Sequence, residues 1–154
     1  MKSTLFMLIG LPASGKSTFA KTLENESTII LSSDKIREEV LGSESDQSNN
    51  KLVFKVLYEK LRKALAGGKN VVLDATNITK KNRAQALKAI EDIDAIKYAI
   101  VLKTNPETCF IFDEQRERHV SKEIIEKYAK IFEYPSIDEG FDKIFEYEPG
   151  YKND

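Results

Sequence analysis

The sequence predicts an α/β protein with about five short strands in a mainly parallel sheet, helices on both faces and a helical lid. Three observations predict it. Apolar runs of strand length alternate with helix-patterned segments along the whole chain. Most of the strands are nearly continuous apolar runs, as strands covered on both faces are. The first strand also leads straight into Gly10-Leu11-Pro12-Ala13-Ser14-Gly15-Lys16-Ser17, followed by Thr18. That is a complete G-x-x-x-x-G-K-S pattern between a strand and a helix.

In order, Leu5 to Ile9 is the first strand, and a helix begins at Ser17 and runs to Glu24 with Phe19, Ala20 and Leu23 on its apolar side. Thr28 to Leu31 is the second strand. Ser32-Ser33 offers a cap for a helix over Asp34 to Leu41, which Gly42 ends. Ser43 to Asn50 (SESDQSNN) is a polar, acidic loop, either a solvated connector or a flap beside the site. Lys51 to Ala66 carries a long helical stripe and stops at Gly67-Gly68. Val71 to Asp74 is a strand ending in a carboxylate. Ala75-Thr76-Asn77 turns the chain, and Thr79 caps a helix from Lys80 to about Glu91. Ile96 to Leu102 is the fourth strand. Asn105-Pro106 starts a helix to about Arg116, with proline at the first helical position. Ser121 caps a further helix to about Phe132, Pro135 breaks it, and Lys143 to Glu146 forms the fifth strand before a polar tail.

Bulk properties bound the class. A chain of 154 residues, 41% hydrophobic and 32% charged, predicts one folded domain over residues 1–154. A net charge of −1 gives no global sign of nucleic-acid binding, so such a site would need a local basic patch. One cysteine (Cys109) and one histidine (His119) leave no Cys- or His-cluster metal site. Mg²⁺ on oxygen ligands is the metal that fits. The apolar run before Ala13-Ser14-Gly15 loosely imitates a secretory signal, but it is short and cleavage would destroy the glycine loop. A cytoplasmic protein with no membrane span is expected.

The chemistry gathers where parallel strands end, which is where such sheets bind ligands. Glycines let successive backbone N–H groups point into one concavity, and the following helix brings its positive end there. Gly10, Pro12, Ala13, Ser14, Gly15, Lys16, Ser17 and Thr18 are therefore the expected ATP contacts, with Lys16 on the β- and γ-phosphates and Ser17 on Mg²⁺. Asp74 stands at the strand end suited to a second magnesium-associated carboxylate. Asp34 and Arg37 are three apart and share a helix face. One reading makes Asp34 a favourable first-turn charge and Arg37 a solvated one. The other makes Asp34 the base that takes a proton from an acceptor hydroxyl, and Arg37 a bidentate clamp on an acceptor phosphate. Arg116 and Arg118 are either exposed charges or lid arginines that neutralise the transferred phosphoryl group. Asn77 either orients a bound group or makes the turn. Arg83 is either an acceptor contact or part of a solvated helix face. His119 reads as an ordinary surface or packing histidine, and Cys109 as a small buried hydrophobe.

These residues together resemble the phage-type 5′-hydroxyl polynucleotide kinases, within the broader group of small phosphate-loop (P-loop) kinases. The matching segments are Ile9 to Thr18, Ser33-Asp34-Lys35-Ile36-Arg37, Val71 to Asn77, Arg83, the arginine segment ending in Val120, and Pro135 to Phe141. The resemblance implies that Lys16 and Ser17 bind ATP·Mg²⁺, that Asp34 is the general base, and that Arg37 binds the acceptor phosphate. It makes Arg116 the lid arginine, with Arg118 as the alternative. The expected activity is ATP-dependent phosphorylation of a hydroxyl, with the 5′-OH end of RNA or DNA as acceptor. The acidic loop and the net charge suit a short acceptor better than a long nucleic acid. There is no room for the phosphatase domain that accompanies some members, and Asp92-Ile93-Asp94 lacks the strand such a domain needs before it. A nucleoside or other small hydroxyl acceptor is the alternative. A second alternative is an ATP-binding switch, in which Asp34 at the acceptor position would have no use.

Overall fold

The computed structural model describes residues 2–117 and 119–149, so Arg118 and the end of the polar tail lie outside the described residues. The elements follow in alternation: β1 (Ser3–Ile9), α1 (Lys16–Leu23), β2 (Thr28–Ser32), α2 (Ser33–Leu41), α3 (Asn50–Ala66), β3 (Asn70–Asp74), α4 (Lys80–Ala89), β4 (Ala95–Leu102), α5 (Pro106–Glu114), α6 (Lys122–Ile131) and β5 (Lys143–Tyr147). A 3₁₀ turn over Ile137–Glu139 precedes β5.

The sheet runs β2-β3-β1-β4-β5, and every neighbouring pair is parallel. The expected elements all form, with ends shifted by one or two residues where helices and strands fray. Side-chain caps explain most helix starts. Ser32, Asn49, Thr79, Asn105 and Ser121 each accept a backbone N–H from the first turn of the helix that follows. Only α1 begins on a glycine without a side-chain cap.

Pleating sends alternate strand residues to opposite faces. Leu5, Met7, Ile9, Val71, Leu73, Ala99 and Val101 meet α2, α3 and α4 on one face. Phe6, Leu8, Val72, Ile100 and Leu102 meet α1 on the other. A third cluster, Leu11, Ala13, Cys109 and Ile125, joins α5 and α6 to the glycine loop at the carboxyl end of the sheet. α5 and α6 are thereby packed directly on the loop that starts α1. Among the described residues no helix is long and apolar enough to cross a membrane.

Candidate active site

The glycine loop is built by close approach. Any side chain at Gly10 would bring its Cβ within 2.7 Å of Ser14 Oγ. Gly15 caps α1 with φ 98°, a left-handed conformation in which a Cβ would be strained. Ala13 is also left-handed, with φ 62°. Thr104, just past β4, donates its hydroxyl to the Ser14 carbonyl at 2.8 Å, and Gly10 N–H donates to Thr76 O at 3.1 Å. The loop is thus tied to strand ends on both sides before any ligand arrives.

Lys16 is buried, and its ammonium donates to Leu11 O at 2.8 Å. Burial pulls the ammonium below its ordinary value of 10.5, against the opposing field of Asp74. Asp74 ends β3, opposite Ser32 of β2, and accepts the Ser17 hydroxyl at 2.9 Å. Burial raises the Asp74 carboxyl above its ordinary 3.8, against the pull of Lys16 and the Ser17 hydrogen bond.

Asp34 lies in the first turn of α2, at the end of the adjacent strand β2. Arg37 is buried one turn on, and its Nη1 donates to Asp34 Oδ1 at 2.9 Å. Asn50, at the start of α3, completes this corner: its Oδ1 accepts from Arg37 Nε at 3.3 Å and Nη2 at 3.0 Å. A single cleft of about 1040 Å³ is lined by the glycine loop, Asp34, Arg37, Asn50, Asp74 and Arg116. The glycine loop and the Asp34–Arg37–Asn50 corner therefore share one opening.

Arg116 follows α5 and also borders a smaller recess with Ser17, Asp34 and Asp74. Its Nη2 donates to Asp113 Oδ1 at 3.1 Å. Its Nε and Ser14 Oγ are buried polar atoms without a hydrogen-bond partner among the described residues. Asp113 also accepts the Val120 N–H at 2.9 and 3.1 Å, so one buried carboxylate ties down both the Val120 backbone and Arg116 at the cleft. Arg118 lies outside the described residues. His119 is half-exposed, with Nδ1 2.6 Å from Asp113 O. Cys109 is buried and its thiol is pushed up to about 11.

Two expectations need correction. Arg83 is neither solvated nor open to an acceptor. It is fully buried, with Nε and Nη2 on the Glu139 carboxylate at 2.8 and 3.2 Å and Nη1 on Asn77 O at 2.9 Å. Its guanidinium clamps the segment before β5 onto α4. Asn77, with φ 49°, makes the turn: its side-chain N–H groups donate to Leu8 O at 2.8 Å and Ala75 O at 3.3 Å, so although the residue lines the cleft its amide nitrogen is committed to the backbone. Sequence reasoning also missed Asn50 and Asp113. Asn50 was hidden in a polar loop. Asp113 carried a signal, because a carboxylate in a helix's last turn opposes the dipole unless it has another use.

The donor set fits a magnesium-bound triphosphate. A desolvated ammonium, two buried polar atoms without a hydrogen-bond partner among the described residues (Ser14 Oγ and Arg116 Nε) and a helix N-terminus without a side-chain cap are groups that a bound anion satisfies. Ser17 Oγ with Asp74 is an oxygen pair of the kind Mg²⁺ takes.

Comparison with known proteins identifies a family and a shared fold. A family model described as an AAA domain matches residues 5–135. The L-seryl-tRNA(Sec) kinase of Methanococcus maripaludis is 28% identical over 150 residues, covering 90% of this chain and 56% of that protein. The chain thus spans about half the length of this curated relative. Chaetomium thermophilum Kti12 in complex with ADP-AlF3 has the same fold, with a TM-score of 0.75 at 19% identity, over 94% of this chain and 89% of that one. A chain of the Pnkp1/Rnl/Hen1 RNA repair complex matches with a TM-score of 0.74 at 23% identity, over 84% of this chain and 43% of its own length. On the strength of the family match, the chain belongs to the AAA domain family and has the α/β fold of the P-loop kinases.

Proposed function

We propose that the protein is an ATP- and Mg²⁺-dependent kinase that phosphorylates the 5′-hydroxyl end of RNA or DNA, a polynucleotide kinase of the phage type, in the cytoplasm. The observation that carries it is the Asp34–Arg37 pair in the same cleft as Lys16, Ser17 and Asp74. A nucleotide switch has no use for a carboxylate–arginine pair at that corner. The kinase similarities and the nucleotide complex of a protein with the same fold support the donor half.

In this reading the glycine loop N–H groups and Lys16 hold the β- and γ-phosphates. Ser17 and Asp74 hold Mg²⁺, which when bound neutralises charge on the phosphate oxygens. Arg37 holds the acceptor's phosphate, and Asp34 accepts the proton of its 5′-hydroxyl. The hydroxyl oxygen forms the new bond to the γ-phosphorus as the bond to the bridging oxygen breaks, and ADP leaves. Arg116 supplies positive charge to the equatorial oxygens in transit.

Transfer of labelled γ-phosphate to 5′-hydroxyl DNA, 5′-hydroxyl RNA, 3′-nucleotides, nucleosides and sugars tests this. A 5′-hydroxyl end should be the best acceptor. Lys16→Ala should abolish transfer, and Asp34→Asn should lower kcat by roughly 10²–10⁴-fold with ATP binding kept. Unchanged kcat in Asp34→Asn overturns the base assignment. A second reading, a small hydroxyl metabolite as acceptor, draws on the cleft lining, where the carboxylate of Glu44 shares the cleft with Asn50 and Arg37 and does not favour a long polyanion. Preference for a nucleoside or sugar in the same panel selects it.

A further inference from the structure

One face of α3 extends the acceptor corner. Asn50, Phe54 and Tyr58 are spaced i, i+4, i+8, so they form one stripe along the helix. Its first member is bonded to Arg37, and all three line the cleft. The helix is anchored by a different stripe, Val53, Leu57, Leu61 and Leu65, which is wholly inside the core. Phe54 and Tyr58 instead sit half-buried at its margin, with ring centroids 5.9 Å apart and planes at 50°. Asn50 is braced by Gln47, whose Oε1 accepts its Nδ2 at 2.8 Å, so Arg37 is pinned beside the start of the stripe. Each step along the stripe rises about 6 Å, the scale on which a nucleotide's phosphate and base are separated.

We infer that Phe54 and Tyr58 form a stacking platform for the terminal nucleobase of the acceptor, with its phosphate on Arg37. This rests on the proposed polynucleotide reading and adds to it a specificity-determining surface. Aromatic faces accept any base, because every base offers a π-face. A platform of this kind would select nucleic-acid ends over sugars without reading sequence. It would also supply through stacking the acceptor affinity that the acidic rim cannot supply through charge.

The test compares a 5′-hydroxyl trinucleotide with the same molecule lacking its 5′-terminal base, using the full chain, ATP and Mg²⁺. The native protein should show a KM about tenfold lower for the base-bearing end. In Phe54→Leu, Tyr58→Leu and the double variant that discrimination should fall towards one, with the KM for ATP unchanged. Leucine keeps the apolar volume, and thermal unfolding checks that the variants fold. An independent binding readout is a trinucleotide with 2-aminopurine as its 5′ base. Its fluorescence should be quenched on the native protein and largely restored on the single variants. Equal use of both ends by the native protein, or discrimination that survives in the leucine variants, overturns the platform while leaving the kinase reading intact. Failure of every nucleic-acid end, with phosphorylation of a sugar or nucleoside, overturns the polynucleotide reading itself and the platform with it.

Discussion

Asp74 and Lys16 lie in a corner where burial penalises both charges and each offsets part of the other's penalty, while their hydrogen bonds go to Ser17 and Leu11. For Asp74 the sign is definite. Its folded pKa lies above the ordinary 3.8, so the folded state binds the proton more readily than the unfolded chain. The stability linked to this proton is present below 3.8 and is lost as pH rises through the raised folded value. Above that value the ionised group weighs against folding. Asp74→Asn removes the penalty and should stabilise the free protein at neutral pH, by on the order of 1 kcal/mol or about 2–4 °C in Tm. The gain over the native protein should shrink as pH falls and vanish below 3.8. Melting curves of the two proteins across pH, without nucleotide, measure it. A variant less stable than native at pH 7 would show that the Ser17 hydrogen bond outweighs the desolvation. The same substitution should weaken Mg²⁺-dependent nucleotide binding, the usual exchange of stability for a charged site.

At the scale of elements, the Arg83–Glu139 clamp carries the clearest consequence. Arg83 on α4 is fully buried, and its partner, 56 residues on, belongs to the turn that leads into β5. Arg83→Met leaves a mostly buried carboxylate without its cation and should cost about 3–5 kcal/mol, roughly 10 °C in Tm. Adding Glu139→Leu should return much of that loss, because the remaining charge is gone. Acceptor KM, measured below the melting range, should stay within about twofold in both. A large rise in KM with little loss of Tm would restore the acceptor role that the sequence suggests for Arg83. The contrast marks what a sequence can carry. The strands, the caps Thr79, Asn105 and Ser121, and the loop from Gly10 to Ser17 are legible because their determinants are local: apolar runs, side chains beside the N–H groups they satisfy, and glycines where a Cβ does not fit. Asp34, Arg37 and Asp74 are legible because strand ends converge in this topology. Arg83 was not, since the partner that buries it is remote. Nor were Asn50, which looks like any loop asparagine until Arg37 is placed against it, or Asp113, whose bonds to Val120 exist only once Val120 is brought back against α5.

For the whole molecule, charge decides what kind of nucleic-acid end the cleft can hold. The chain carries a net charge of −1, Glu44 lines the cleft, and Asp46, two residues on, is held below its ordinary 3.8 by hydrogen bonds from Ser48. Among the described residues that line the cleft, Lys16, Arg37, Arg116 and Lys127 are the only lysines and arginines, and the first three are assigned to phosphates already in the reaction. An acceptor strand should therefore make about one backbone contact, through Arg37. Counterion release gives a slope of about −0.7 per phosphate contact for single strands. Raising salt from 50 to 200 mM should thus raise acceptor KM only about threefold. A protein gripping six phosphates would lose more than a hundredfold over the same range. KM should also be nearly the same for a trinucleotide and a 20-nucleotide strand. Initial rates at the two salt concentrations and two lengths measure both effects. A steep salt slope with a clear advantage for the longer strand would mean that a basic path lies elsewhere on the protein. A shallow slope, equal KM values and a preference for base-bearing ends would together assign acceptor binding to one phosphate contact and one stacked base.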